Sequence, residues 1–318
     1  MNVRDFEGLI QSLDAYIAKA DDDLTDKLKY EGYIQPAESV ETINTLEDRL
    51  AAALNDQLDY YLQGLEGADL ENALENVLPA LLAGDVSDQD VAEIFKDIFD
   101  GAMRSLTDAY IKDIDKDLAF SMFTDRASDW INTWSEDLGK LMKLGSHDEI
   151  QRILSNALDE GESIQTVMEK LTDSYGFSRT RARATAITEM LTAHSYSKQE
   201  AIRQSPAVDR KEWKHTGEHK NKPRPHHQAL DGTIVDKNEP FTINAPTGTY
   251  EAMFPRDTSL PASERVNCHC IHRAIVNEDI LGLSLADRRS LQQEAIDKDN
   301  FVWEVELNAS NRAAAGIE

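Results

Sequence analysis

Trp213-Lys-His-Thr-Gly-Glu-His-Lys-Asn-Lys-Pro-Arg-Pro-His-His-Gln-Ala-Leu-Asp-Gly232 opens the stretch that decides the fold, and Asn267-Cys-His-Cys270 closes it shortly before Arg273. Six of the eight histidines and both cysteines lie between His215 and His272, and six of the nine prolines lie between Pro223 and Pro261. Proline removes a backbone donor and clashes with the preceding helical turn, so this stretch cannot continue a long helix. It reads as short strands and turns. Residues 208–213, 233–235 and 241–243 are β-type runs, with Gly232 supplying a turn and Pro240 an edge position. Residues 266–276 are expected to close a small sheet. Trp213, Phe241 and Phe254 are its expected core anchors.

Upstream the physical regime changes. Formal charge over the 318 residues is −26 and the pI about 4.6. Residues 210–273 hold 10 Lys+Arg against 8 Asp+Glu, and the remainder holds 23 against 51. That imbalance argues against a nucleic-acid surface, which needs cations in excess, and against docking on an anionic membrane. Two cysteines one residue apart do not make a disulfide framework, which fits a reducing compartment. No run approaches the roughly 18 apolar residues of a membrane span. Met1-Asn-Val-Arg-Asp-Phe-Glu also lacks the form of a signal peptide. The expectation is a soluble protein made in the cytoplasm.

The acidic part has helical periodicity. Phe6, Leu9, Ile10, Leu13, Tyr16 and Ile17 form one stripe, with Asp21-Asp22-Asp23 as an expected interruption. Ile43, Leu46, Leu50, Leu54, Leu58 and Leu62 form a second. Leu70 to Leu82 mark a third, broken or kinked at Pro79. Ser87-Asp-Gln-Asp90 heads the longest run, Val91 to Leu118, which Gly101 interrupts. Ser146-His-Asp-Glu149 has the form of a capping box ahead of a new helix, which Gly161 closes. Gly176 ends the next helix, and Ser178 caps an Ala-rich one carrying Arg179, Arg181, Arg183 and Glu189. Arginines in a first turn oppose the macrodipole, so Arg181 and Glu189 are candidates for an inter-element salt bridge. Ser205-Pro206 ends the helical part.

Thiolate and imidazole are the donors zinc prefers. Cys268 and Cys270 share one face of an extended segment, and His227 or His226 would come from the opposite arm. Such a cross-link would stabilise a loop-rich domain. The single residue between the cysteines is shorter than the usual spacing of two to four. Two other readings stand beside zinc. The thiols can pack as small hydrophobes while the histidines bond loop carbonyls. Alternatively a Cys–His pair is a nucleophile and base, with Asp231 orienting the imidazole. The chain has no His-Glu-x-x-His, nucleophile elbow or P-loop. Arg224, extended before Pro225, could be held by Asp231 or Asp257.

The ordered set is Thr188-Glu189 on a helix, Trp213-x-x-Thr-Gly, Arg224-x-x-His227-x-x-Leu-Asp-Gly232, Pro240-Phe241, Pro255-x-Asp257 and Asn267-Cys268-x-Cys270. It resembles the phage Mu protein F-like head morphogenesis family over roughly residues 125–276. His269 stands where the family usually has Arg. The resemblance implies a minor head protein of a tailed phage, found in the virion at the capsid interior or portal vertex. Its implied partners are the portal, capsid and scaffold proteins, and its implied role is head assembly with DNA packaging or delivery. It implies that Trp213, Arg224, His227, Asp231, Gly232, Phe241, Cys268 and Cys270 hold the C-terminal domain together, with no catalytic activity. The alternative is a virion-associated metal- or thiol-dependent hydrolase using His227, Asp231, Cys268 and Cys270.

The expected fold is a mainly α N-terminal region followed by a small α+β domain with short strands. The expected regions are an acidic helical part at 1–120, the helical part of the head morphogenesis domain at 121–205, the His/Cys domain at 206–277 and a helical tail at 278–318.

Overall fold

The fold is that of a computed structural model and is described for residues 20–119, 125–216 and 223–297. Helix α1 covers 20–31 and runs through Asp21-Asp22-Asp23, which therefore does not interrupt it. The apolar stripe from Phe6 to Ile17 lies outside the described residues. Next come α2 (Pro36–Leu65), α3 (Leu70–Asn72), a π-helical turn (Ala73–Val77) and α4 (Leu78–Gly84). Pro79 sits in the first turn of α4, where its missing N–H costs nothing. Helix α5 (Ser87–Ile114) is unbroken at Gly101, and α6 is Asp125–Glu160. Gly161, at φ +66°, ends α6 as expected of a C′ glycine.

The capping box at Ser146 does not form. α6 continues through Gly145 and Ser146 because the serine oxygen bonds Met142 O one turn back, 3.2 Å away. Arg181 then lies flat against that turn. It donates to Ser146 Oγ at 2.9 Å, Met142 O at 2.8 Å and Gly176 O at 2.5 Å. A Cβ at Gly145 would meet its guanidinium at 2.8 Å, so a larger residue there would displace the end of the Arg181 side chain.

Helix α7 (Ile164–Thr172) is capped by Ser163, and α8 (Arg179–Gln204) by Ser178, whose Oγ accepts from Arg181 N at 3.2 Å. Then follow β1 (Val208–Lys214), α9 (Pro225–Gln228), β2 (Ile234–Asp236), β3 (Phe241–Ala245), β4 (Gly248–Ala252), α10 (Ala262–Arg265) and β5 (Ile271–Val276). Helices α11 (Glu278–Leu281) and α12 (Leu285–Asp297) end the described chain. The structure is thus mainly helical, with a small C-terminal region of short antiparallel strands.

The chain divides into two compact units, each drawn from segments that alternate along the sequence. One comprises the described residues within Ile43–Arg104 and Ser121–Glu189. Its core includes Leu58, Ile150, Leu154, Val167 and Leu171 from the expected helical stripes, joined by Tyr61, Leu65 and Phe177 from outside them. Arg181 and Glu189, the candidates for a salt bridge to another element, both bond to α6. Arg181 goes to neutral acceptors, and Glu189 accepts the Trp134 indole N–H at 2.8 Å. The flanking arginines pair instead: Arg179 Nε lies 2.6 Å and Arg183 Nη1 2.9 Å from Glu47 on α2. Two of the three α8 arginines that oppose its dipole, Arg179 and Arg183, are therefore held by a carboxylate from another helix.

The other unit comprises the described residues within Met1–Thr42, Ser105–Phe120 and Met190–Asn300. Its three-stranded antiparallel sheet has the order β2-β1-β5, and β3 and β4 form a separate hairpin. Trp213, from the middle strand, is fully buried with Phe241, Ile243, Ala252 and Leu260, and this core includes both cysteines. The Trp213 and Phe241 rings meet edge-on at 5.3 Å.

Candidate functional site

The His-rich arm and the Cys-x-Cys arm converge within this second unit. Pro225 starts the single turn of α9, which presents His227 inward. His227 Nδ1 lies 3.6 Å from Cys268 Sγ and 4.0 Å from Cys270 Sγ. One ligand atom from each of the three falls within 4.8 Å of the others. Both cysteines are free thiols and only 3% exposed. On the far side of the pair, His215 Nδ1 lies 3.6 Å from Cys270 Sγ.

The back of the site is a carboxylate. Glu264 Oε2, on α10, lies 2.9 Å from His227 Nε2 and 2.7 Å from His226 Nε2. His226 is thus engaged by Glu264, as a neighbour of His227, and is absent from the group that the sulfurs form with His227. Trp213 covers the His227 ring edge-on at 5.8 Å.

The Cys-x-Cys backbone is clamped. Arg256, 1% exposed, donates from Nη1 to Cys268 O at 2.6 Å and to Cys270 O at 2.9 Å, and from Nη2 to Ser195 Oγ at 2.6 Å. Arg256 itself has φ +66°, a conformation costly for a non-glycine residue and maintained only where surroundings enforce it. Asn267, at φ +57°, turns the chain into the motif, and asparagine tolerates that region. Thr216 Oγ1 donates to His269 O at 2.7 Å. The His269 side chain departs from the sulfurs, its Nδ1 lying 3.0 Å from Glu31 Oε2 on α1.

Electrostatics divide the cysteines. The hydrogen bond from Cys270, with His227 and Arg256 nearby, holds Cys268 well below the usual thiol range despite burial. The same bond, with burial, pushes Cys270 up. Two soft donors and an imidazole nitrogen facing one point suit a soft or borderline divalent cation.

Two expected contacts are corrected. Asp231 does not orient His227: it accepts the His215 backbone N–H at 2.8 Å and lies 3.0 Å from Lys214 Nζ. Arg224 is not held by Asp231 or Asp257. It donates to Val266 O at 2.8 Å, and its Nε lies 4.0 Å from Glu264. Asp257 instead accepts Met253 N at 2.7 Å. Gly232 takes φ +81° at the turn into β2, the conformation for which glycine is suited. The loop-carbonyl role expected of the histidines goes to carboxylates and sulfur. Sequence reasoning missed Glu264, Arg256 and the placement of His215. Arg256 was passed over inside Pro255-x-Asp257, and nothing local distinguishes Glu264 from the chain's many other acids.

Residues 148–273 match the family described as Phage Mu protein F like protein. That span contains the whole His/Cys site and begins within α6. The chain is also 35% identical over 297 residues to the uncharacterized protein YqbB of Bacillus subtilis (strain 168), covering 91% of this chain and 97% of that protein. No solved structure matches it. A relative of this identity along nearly the whole length, and a family match that ends on the Cys-x-Cys strand, agree on one assignment: the chain belongs to the phage Mu protein F-like family.

Proposed function

We propose that the protein is a structural minor head protein of a tailed phage, made in the host cytoplasm and carried in the virion at the capsid interior or portal vertex. Family membership carries a role in phage head morphogenesis in general. The finer reading adds the portal and the capsid or scaffold proteins as partners, and assistance to assembly and to DNA packaging or delivery. The observation that carries it is the charge distribution, 23 Lys+Arg against 51 Asp+Glu outside residues 210–273. A polyanion does not adhere to packaged DNA, and it docks readily on a basic protein surface. Neither a specific nucleic-acid sequence nor a membrane is a partner in this reading. No described helix is long and apolar enough to cross a membrane.

The His/Cys cluster serves in this reading as an architectural lock that takes zinc. Its support is the bracing of every donor: Glu264 behind His227, and Arg256 on both cysteine carbonyls. The thiol-hydrolase version of the alternative placed Asp231 at the imidazole, and that carboxylate is engaged elsewhere. The test of the assembly role is co-purification of the full chain with the portal protein at rising salt. Retention at low salt and loss at high salt is expected. Binding indifferent to salt overturns electrostatic docking.

A further inference from the structure

The zinc reading leaves the coordination sphere incomplete, because His227, Cys268 and Cys270 are three donors. A structural site wants four, and a three-donor site keeps an open position for water or substrate. The identity of the fourth donor therefore decides whether the centre is a lock or a reaction centre.

We propose that His215 supplies the fourth ligand of a closed Cys2His2 zinc site with Cys268, Cys270 and His227, and that Glu264 positions His227 from behind. The inference rests on the zinc reading above. With Zn–S about 2.3 Å and Zn–N roughly 2.0–2.1 Å, a tetrahedral centre sets sulfur and nitrogen donors about 3.6 Å apart. The three sulfur–nitrogen separations here are 3.6, 4.0 and 3.6 Å. Each matches one edge of such a tetrahedron; His227 meets both sulfurs, and His215 meets Cys270 alone and stands outside the group of three.

The tautomers agree. Glu264 at 2.9 Å takes the His227 Nε2 proton, which leaves the Nδ1 lone pair facing the sulfurs. His226 also has Nε2 at the same carboxylate oxygen, so it braces Glu264 rather than ligating. His215 follows β1 directly, and its backbone N–H is pinned by Asp231 at 2.8 Å. Its ring already meets Cys270 and is half-buried, so a turn of the side chain completes the sphere. Asp231 thereby acquires a role: it holds the main chain of a ligand. The metal would tie the end of β1, α9 and the start of β5 at one point.

The test uses the full chain stripped of metal and titrated with Co2+ and then Zn2+. Wild type is expected to bind one ion per chain, with intense visible bands of tetrahedral cobalt and a thiolate-to-cobalt charge-transfer band. His215→Ala should keep the charge-transfer band, weaken binding about tenfold or more, and change the visible bands as water enters. His215→Cys should restore four-coordination with added thiolate absorption, which a merely structural role would not produce. His226→Ala should leave the spectrum intact. An unchanged spectrum and affinity in His215→Ala overturns the fourth-ligand assignment while the three-donor reading stands. Wild type that binds neither ion overturns the zinc reading itself.

Discussion

Each compact unit holds a buried centre built from polar side chains, Asp85 in one and the His/Cys cluster in the other, and the two are built on opposite logic. In the helical unit, Asp85 accepts from Gln57 Nε2 at 2.7 Å, Tyr61 OH at 2.8 Å and Ser87 N at 2.9 Å, and lies 2.8 Å from His147 Nε2. Every partner there can donate to one acceptor, so the centre is complete without any added atom. In the His/Cys unit two sulfurs and an imidazole nitrogen lie within 4.8 Å of one another. The first centre is saturated and pins α2, α5 and α6. The second is a donor set that a cation would complete in the proposed reading. The kind of donor separates a strut from a socket.

The sharpest way to break that contrast is to empty the strut. Burial opposes ionisation of Asp85, but the bonds from His147, Ser87 and Gln57 hold its carboxyl well below the usual range. Asp85→Ala removes the shared acceptor of buried Tyr61 and of half-buried His147 and Ser87 N, while Gln57 Nε2 keeps Ser87 Oγ at 2.8 Å, and should cost about 3–5 kcal/mol. Urea unfolding would read it, together with amide exchange that loosens around Asp85 and spares the His/Cys unit. A loss under about 1 kcal/mol would mean that the centre does not hold the helices.

The socket should respond to a reagent that the strut ignores. Removing metal with a chelator should cost about 4 kcal/mol if zinc is near a thousandfold above its dissociation constant. Exchange should accelerate in β1, α9 and β5, with little change around Asp85. Uniform acceleration throughout, or none, would erase the distinction between the two centres.

Acid gives a third, smaller separation. His194, on α8, lies 2.8 Å from Ser39 Oγ and 3.0 Å from Tyr110 OH. Burial, with Arg256 and Lys198 nearby, pushes it down to about 3 from an ordinary 6.5. A depressed imidazole is neutral in the folded state and takes a proton only on unfolding. Its contribution is therefore complete above pH 6.5 and fades as pH falls from there toward 3. Between pH 8 and 5 the loss should be about 2 kcal/mol. His194→Gln should flatten that part of the wild-type pH profile, whatever else titrates. Equal slopes in the two proteins would show that His194 does not carry the dependence.

The strut and the socket differ also in how visible they were. The helices of the saturated centre were legible because apolar residues recur with a fixed period, as Ile43 to Leu62 do. Their polar joints were not, because capping residues read identically when used otherwise. Ser146 looked like a helix start and turned out to be a mid-helix acceptor for Arg181. For the socket, residue chemistry sufficed to bring His227, Cys268 and Cys270 together. Their supports were hidden, since a single acid among 59 and an arginine in a loop have no periodicity to reveal them. Glu264 and Arg256 are defined by where the chain returns, and one sequence does not encode that locally. His269 shows the converse: its departure from the usual Arg was legible, and its partner Glu31 was not.

The smallest expected effect tests the boundary of the socket. His226 and His227 are adjacent, and both reach the same oxygen of Glu264. Only His227 turns its other nitrogen to the sulfurs. If the socket is defined by convergence on a cation, His226→Ala removes one hydrogen bond to a carboxylate that keeps its other partner, at a cost of about 1 kcal/mol or less. His227→Ala, by contrast, should abolish stable metal binding. If histidines near Glu264 mattered only as packing, the two variants would behave alike, because both lose a ring beside the same carboxylate. Zinc content and urea midpoint measured side by side distinguish the cases: a large gap in metal with a small gap in stability for His226→Ala supports a coordination site. Equal losses of metal in the two variants would move the donor set onto the Glu264 side and dissolve the socket as drawn.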